Sequence, residues 1–456
     1  MSHEAHAAER QATFREVFGE SEYRVLFITN ALTWFGDYLA KAAVTAMVYQ
    51  ETTSVGMAAA AFAVTYLPWL VGGPLLATLA ERYPYKNVMI VGDLLRMVLI
   101  GVIAAVQLPT AAVLVLLFAS TLVAPPAQAA RSAILPLILG GDRLVVGLSI
   151  NLSTGQAASI AGYLAGAGLT AYDPRMGLWV NTIAFGISAV VIRFGLRPRP
   201  AAMTEEHRSH LLRETAEGFR VVFYTPVLRA IAILVFVTML FAIVPEGLAA
   251  GWAAETTKSE AGRGLAQAVI MAAAPVGWII GGLAAARLLR PEVRRRLIRP
   301  FAALAPLCLV PALLNPHPIA IVIMTAACNM ATAGMMPAAN GLFVQALPHG
   351  YRARAFGVMQ TGIQAIQGAA VLATGLLADR FSIPVVVGVW SIAGVLLIAL
   401  AGSRWPSADR FNAAVTAAAA TMPPELRDPA RQNGASAAPT GPKHSLKITK
   451  ERSVAE

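Results

Sequence analysis

The chain has 456 residues, 57% of them hydrophobic and only 13% charged, and it carries a net charge of +11. A soluble protein of this length has about a quarter charged residues, so the composition excludes an ordinary soluble globular fold and indicates a polytopic membrane protein. The basic residues follow the predicted membrane topology, so no nucleic-acid partner is expected. The two cysteines lie inside apolar runs, which favours buried thiols over a disulfide.

The first 22 residues are polar and charged, and no apolar run of the kind found in a cleaved signal peptide precedes Tyr23. We predict a cytoplasmic N-terminal segment over residues 1–22. Twelve apolar stretches follow, each near or above the ~20 residues that a membrane-spanning helix requires. They cover residues 25–50, 54–80, 87–107, 109–137, 143–171, 174–195, 228–254, 262–288, 295–315, 318–346, 351–378 and 383–402. The predicted fold class is an all-α membrane protein with twelve transmembrane helices.

A long charged connector divides the twelve spans into six and six. Its apolar residues recur at roughly helical spacing among charges, which predicts an amphipathic helix on the inner membrane face. The C-terminal end is rich in Ala, Pro, Ser, Thr and Lys, a composition typical of disorder. The predicted organisation is an N-terminal half over residues 23–195, a cytoplasmic linker over 196–227, a C-terminal half over 228–402 and a mostly disordered cytoplasmic tail over 403–456.

Lys and Arg are distributed unevenly between the predicted loops. With the N-terminus inside, the inner loops and adjoining helix ends hold nineteen of them and the outer loops hold four. Cytoplasmic loops carry this excess in membrane proteins. We therefore predict cytoplasmic termini, a bacterial inner-membrane location and contacts with membrane lipids.

The two halves repeat each other weakly at an offset of about 210 residues. "VGGPLLATLAERY" aligns with "IGGLAAARLLRPE", "PPAQAARSAILP" with "MPAANGLFVQALP", and "STGQAASIAGYLAGAGLTAYD" with "QTGIQAIQGAAVLATGLLAD". The same offset maps Asp37 onto Glu246, so the first helix of each half carries one acid at a corresponding depth. Transporters built from repeats place their substrate and coupling sites near the centre of the pseudo-symmetric molecule.

The first span carries a polar stripe of Asn30, Trp34, Asp37 and Lys41, spaced 4, 3 and 4 residues apart, so they share one helix face. Such a stripe is expected to face a central cavity, because lipid would reject it. Asp37 is interpreted as a protonation site or a contact for a cationic substrate. The alternative is a structural ion pair between Asp37 and Lys41 at i, i+4 that only orients the helix.

Other polar residues are candidates for the same cavity. Gln360, Gln364 and Gln367 lie on one face of the eleventh span, where amides suit polar substrates or, alternatively, hydrogen bonds between helices. Asn340, Asn329, Asn151 and Gln156 are weaker candidates, and Tyr38 belongs to the aromatic surface available to a substrate. Glu246 follows Pro245, a helix breaker that suits a moving site, or it is simply solvated near the outer mouth.

A second group of charges lies near the cytoplasmic helix ends and is a candidate gate. Its members are Glu81, Arg82, Lys86, Asp93 and Arg96. Asp93 and Arg96 fall inside the third span, which favours a charge latch, whereas Arg131 and Arg352 are interpreted as ordinary positive-inside residues.

Several classes of chemistry are not expected. No Gly-x-x-x-x-Gly-Lys-Ser/Thr run exists, which argues against ATP drive. The seven histidines lack metal-ligand spacing, and no nucleophile–base set is evident. We therefore expect no cofactor, no metal and no enzymatic activity.

Six plus six helices, a basic central loop and the charged stretch "ATLAERYPYK" after the second span resemble the major facilitator superfamily over residues 20–402. "WFGDYLAKAAVTAMVY", "GDLLR" and "PPAQAARSAILP" resemble its bacterial drug and metabolite exporters. The resemblance implies proton-driven efflux of amphipathic small molecules by a monomer, with Asp37 and Glu246 as proton-coupling residues. The fourth span lacks the mid-membrane Arg of the antiporter signature, and the fifth lacks its Gly-Pro pair. Alternatives are a dedicated exporter of one metabolite, such as a siderophore, and an uncoupled sensor or lipid scramblase.

Overall fold

A computed structural model describes residues 13–69, 83–140, 142–170, 172–199, 211–257, 259–348 and 351–420. Within these ranges the regular structure is helical throughout. In the N-terminal half the helices are α1 (Phe14–Gly19), α2 (Ser21–Thr52), α3 (Val55–Ala63), α4 (Tyr85–Ala105), α5 (Thr110–Leu122), α6 (Ala124–Ile138), α7 (Asp142–Thr170) and α8 (Pro174–Gly195).

The linker contains α9 (Leu211–Tyr224). The C-terminal half contains α10 (Pro226–Ala242), α11 (Val244–Gly247), α12 (Ala249–Thr256), α13 (Glu260–Leu288), α14 (Pro291–Arg296), α15 (Ile298–Leu307), a 3₁₀ helix (Val310–Leu314), α16 (Pro318–Gln345), α17 (Arg352–Ala378) and α18 (Ile383–Ser403). A last helix, α19 (Ala408–Ala420), occupies part of the predicted tail, and residues beyond it lie outside the described ranges.

The predicted fold class is confirmed. Nine helices of the described chain are long and apolar enough to cross a membrane. Two further predicted spans correspond to the shorter apolar helices Val55–Trp69 and Ile298–Leu314. The remaining one is α2, whose 32 residues include the polar stripe that lowers its hydropathy. The protein is a multi-pass membrane protein.

Prolines divide several predicted spans into shorter helices, because proline lacks the N–H of the helical ladder and its ring collides with the preceding turn. The seventh span breaks into α10, α11 and α12 around Pro245. The backbone carbonyls of Leu240 and Ala242 near this break accept hydrogen bonds from Trp390 Nε1 and Asn329 Nδ2, both at 3.4 Å. Backbone groups at membrane depth must be satisfied inside the protein, and these two side chains do so here.

The two halves meet along two helix pairs. Inside the N-terminal half α2 packs against α7 and α8, and inside the C-terminal half α13 packs against α16. Between the halves, α7 contacts α13 and α3 contacts α17. Glycine permits the second contact, since a Cβ on Gly375 would lie 2.2 Å from the Cβ of Ala59. The result is a bundle with a central space between the halves.

Candidate functional site

Two neighbouring cavities lie at the centre of the bundle, one lined by both halves and the other lined by the N-terminal half together with Gln364 of the C-terminal half. The Glu246 cavity has a volume of about 230 Å³ and the Asp37 cavity about 190 Å³. Tyr38, Lys41 and Tyr66, with Gln364 from the other half, line both cavities. The polar stripe of α2 therefore faces the centre of the molecule, as the cost of exposing charge to lipid requires.

Asp37 forms its ion pair with Arg96 of α4, and not with Lys41. An Nη2–H of Arg96 donates to Asp37 Oδ1, and the guanidinium lies over the ring of Phe185 at 4.2 Å. Arg96 is only 3% exposed and lines the Asp37 cavity. The structure thus places Arg96 at the Asp37 cavity, whereas the sequence assigned it to a cytoplasmic gate. The alternative of a structural Asp37–Lys41 pair is wrong for this conformation.

Lys41 is held by aromatic rings. Its Nζ lies 4.7 Å from the ring centroid of Tyr66 and 5.3 Å from those of Tyr38 and Phe62. A desolvated ammonium is attracted to the negative face of an aromatic ring. Within the described residues Lys41 has no carboxylate or other acceptor at hydrogen-bonding distance. The cation consequently faces both cavities with its N–H donors unused.

Glu246 lies in the short helix α11 directly after Pro245 and lines the Glu246 cavity. The hydroxyl of Tyr163 in α7 donates to its Oε1, so this contact crosses between the halves. Tyr163 in turn packs edge-on against Tyr38, with ring centroids 5.1 Å apart. The expectation that Glu246 is merely solvated is wrong, because its carboxylate is bound inside the protein.

A third acid, Asp93 of α4, is fully buried against side chains of α6 and α8. It accepts hydrogen bonds from Arg131 Nη2 at 3.3 and 3.4 Å and from Ser188 Oγ at 2.5 Å. Arg131 also donates to Thr33 Oγ1 at 3.2 Å and is 7% exposed. The interpretation of Arg131 as a peripheral positive-inside residue is therefore wrong. Packing of α6 on α4 buries the guanidinium, and a buried charge requires a partner.

The remaining predicted residues divide between cavity, packing and surface. Trp34 lines the Asp37 cavity, and Gln367 lines the Glu246 cavity. Asn30 is 3% exposed and donates to Asn151 Oδ1 at 3.3 Å, so it joins α2 to α7. Gln360 and Asn340 are exposed and line neither cavity.

Among the predicted gate residues, Lys86 donates to the backbone carbonyl of Leu196 at 2.6 Å and is buried. Glu81 and Arg82 lie outside the described residues. Sequence reasoning missed Tyr163 entirely. The available signal was a single tyrosine within "GYLAGAG", a run of small residues. Such a run lets α7 approach α2 closely, since a Cβ on Gly162 would lie 2.7 Å from the backbone oxygen of Phe35.

The halves are also joined at the end of the bundle where α2 ends and α3 begins, which we call the α2/α3 face. The carboxylate of Asp379 accepts hydrogen bonds from Ser54 Oγ at 3.0 and 3.1 Å and from the backbone N–H of Gly56 at 3.0 Å. Gln267 Nε2 donates to the carbonyl of Ala42 at 3.0 Å and to Thr45 Oγ1 at 3.1 Å. Both contacts link the N-terminal half to the C-terminal half, so the halves are held together at this face.

Solved structures share this fold at low sequence identity. The nucleoside transporter NupG aligns with a TM-score of 0.68 at 13% identity, covering 85% of this chain and 99% of its own. The peptide transporter POT in complex with sulfate aligns with a TM-score of 0.66 at 17% identity, covering 90% and 99%. A POT family transporter in complex with 5-aminolevulinic acid gives a TM-score of 0.62 at 12% identity, covering 83% and 94%.

No curated protein sequence matches the chain. The sequence profile of the Major Facilitator Superfamily matches residues 26–316, more than half of the chain. That range includes α2 with its polar stripe, the linker and the acid of α11. Together with the two helical halves around a central pair of cavities, this match identifies the protein as a member of the major facilitator superfamily.

Proposed function

We propose that this protein is a proton-coupled secondary transporter that exports small amphipathic organic solutes by alternating access. The observation that carries the proposal is the position of the two acids related by the repeat. Asp37 and Glu246 open onto adjacent cavities that share four lining residues, so both acids can act on one bound solute. The outward direction comes from the resemblance of α2 and α6 to exporters.

The two acids have different partners, which suggests different roles. Asp37 is paired with the guanidinium of Arg96, so its carboxylate has a cation at contact distance. Glu246 accepts from the neutral hydroxyl of Tyr163, and its charge is therefore less fully compensated. We assign the exchanging proton to Glu246 and a supporting role to Asp37. Protonation of Glu246 removes a charge from the cavity and so lowers the cost of closing the cavity to water.

Alternating access requires one face of the bundle to close while the other opens. The α2/α3 face is closed by Asp379 and by Gln267. The Lys/Arg distribution assigns that face to the outside, so we propose that this conformation faces the cytoplasm. Glu81, Arg82 and Lys86 remain candidates for a gate at the cytoplasmic end.

The size and lining of the cavities support a small organic solute. Aromatic rings from Tyr38, Tyr66 and Trp278 stand beside the amides of Gln364 and Gln367. Cavities of this kind bind ligands through apolar contact and orient them through a few polar groups. The structural neighbours include a nucleoside transporter and a peptide transporter, whose named substrates are small polar organic molecules.

The test is uptake of a fluorescent amphipathic dye into inverted membrane vesicles with and without a pH gradient. Gradient-dependent uptake by the wild type is expected, with loss in Glu246→Gln and a smaller defect in Asp37→Asn. The control is Glu51→Gln, an exposed acid near the end of α2 that lines neither cavity. Unimpaired gradient-dependent uptake by Glu246→Gln would contradict the assignment of the proton. A wild type whose transport ignores the gradient would contradict proton coupling.

A further inference from the structure

The Glu246 cavity presents one positive group, Lys41, and one negative group, Glu246, to the same small space. Among the residues that the structure describes, neither has an opposite charge at contact distance. Lys41 supplies three N–H donors, which the aromatic ring faces attract but do not accept as carbonyl oxygens would. Glu246 has several acceptor sites and, among the described residues, receives one hydrogen bond, from Tyr163. Both side chains are partly exposed to the cavity that they line.

The other charged groups near Lys41 and Glu246 already have partners of their own, so they do not form an ion pair with either side chain. Asp37, the other acid whose charge acts on Lys41, is engaged by Arg96. Asp93 is engaged by Arg131 and Ser188. Among the described residues that line the cavity, the remaining titratable groups are the phenols of Tyr38, Tyr66 and Tyr163. The cavity therefore holds one cation with free hydrogen-bond donors and one anion with free acceptor sites, and both can bind a ligand.

We infer that the Glu246 cavity binds a zwitterionic solute of about amino-acid to dipeptide size, whose anionic group binds Lys41 and whose ammonium binds Glu246. This inference rests on the proposed transport function and names its substrate class. A solute with only a positive charge would be repelled by Lys41, and a solute with only a negative charge would be repelled by Glu246. A zwitterion pairs with both groups and brings no net charge of its own into the cavity.

The same arrangement accounts for exchange between proton and solute. An ammonium and a proton compete for the carboxylate of Glu246, so binding of the solute displaces the proton. The anionic group of the solute is bound to Lys41 whether or not Glu246 is protonated. Its contribution to the affinity therefore does not depend on the proton. Apolar atoms of the solute would contact Met239 and Trp278, which line the same cavity.

The experiment uses four probes built on one scaffold: phenylalanine, 3-phenylpropionate, 2-phenylethylamine and 3-phenylpropionamide. Their binding to the purified full-length protein in nanodiscs is measured by calorimetry at neutral pH. Phenylalanine is expected to bind at least tenfold more tightly than the other three. Lys41→Met is expected to reduce its affinity to that of the amine, and Glu246→Gln to that of the acid. Lys41→Arg, which keeps the charge, should retain the preference for the carboxylate.

Gln360→Ala is the matched control, because Gln360 lies on the same helix as Gln364 and lines neither cavity. It should leave all four affinities unchanged. Equal binding of the zwitterion and the singly charged probes, or no binding of the zwitterion, would overturn the inference. So would a Lys41→Met variant that keeps the wild-type affinity for phenylalanine. Gradient-driven dye uptake that persists under any of these outcomes would leave the transport proposal standing, so the two failures are distinguishable.

Discussion

Removal of the Asp379 carboxylate should open the α2/α3 face. Its oxygens accept from Ser54 Oγ and from the backbone N–H of Gly56, the second residue of α3. Each hydrogen bond contributes about 0.5–1.5 kcal/mol net, and a carboxylate at a helix N-terminus about 0.3–1 kcal/mol. Because Asp379 is exposed, we take the lower part of these ranges, about 1–2 kcal/mol in total. Asp379→Ala should therefore shift the equilibrium away from the closed face by about 5- to 30-fold.

The assay is the rate at which a maleimide labels a single cysteine introduced at Ala46, which is 8% exposed and lines, with Gln267, a cavity of about 230 Å³ between α2, α12 and α13. The native Cys308 and Cys328 are replaced, and labelling is done in detergent so that membrane orientation does not matter. The rate follows the open fraction when opening is fast compared with labelling. Asp379→Ala should raise it by the factor given above.

The control for this experiment is Asp173→Ala. Asp173 also caps a helix, accepting from the backbone N–H of Arg175 at 2.8 Å, but both residues belong to the N-terminal half. Its removal should leave the labelling rate unchanged. If Asp379→Ala labels no faster than Asp173→Ala, the contact between Asp379 and α3 does not hold the face closed and the reasoning fails.

Three further predictions concern packing and buried charge. Gly375→Val should increase the labelling rate in the same assay, because its Cβ would lie 2.2 Å from an alanine Cβ of α3. Gly357→Ala should leave the rate unchanged, because no atom lies within 4 Å of the new Cβ. Arg131→Met should lower the free energy of unfolding by about 3–5 kcal/mol in thermal melts, since it leaves Asp93 buried without its cation, and adding Asp93→Asn should restore part of the loss. Lys86→Met should cost about 1–2 kcal/mol in the same melts by removing its bond to the carbonyl that ends α8, and an unchanged melting temperature would show that this bond adds no stability.

The sequence by itself determined the number of spans, their division into halves and the presence of an acid in the first helix of each half. These features depend on local properties, since length and hydropathy decide which segments can cross a bilayer. Helical periodicity also placed Asp37 and Lys41 on one face of α2, and the structure turns that face toward the central cavities. The offset between the repeats predicts that Asp37 and Glu246 are corresponding positions, and each lines one of the two neighbouring cavities.

Only the tertiary structure decided which charged groups meet. Arg96 and Asp37 are 59 residues apart, and Tyr163 and Glu246 are 83 apart, so neither contact follows from the periodicity of one helix. Spacing within α2 favoured a pair between Asp37 and Lys41, but α4 supplies a guanidinium that binds the carboxylate instead. Arg131 is at the end of an apolar run in the sequence, yet the packing of α6 on α4 buries it. The lateral and rotational placement of helices depends on contacts between distant segments, and no single segment contains that information.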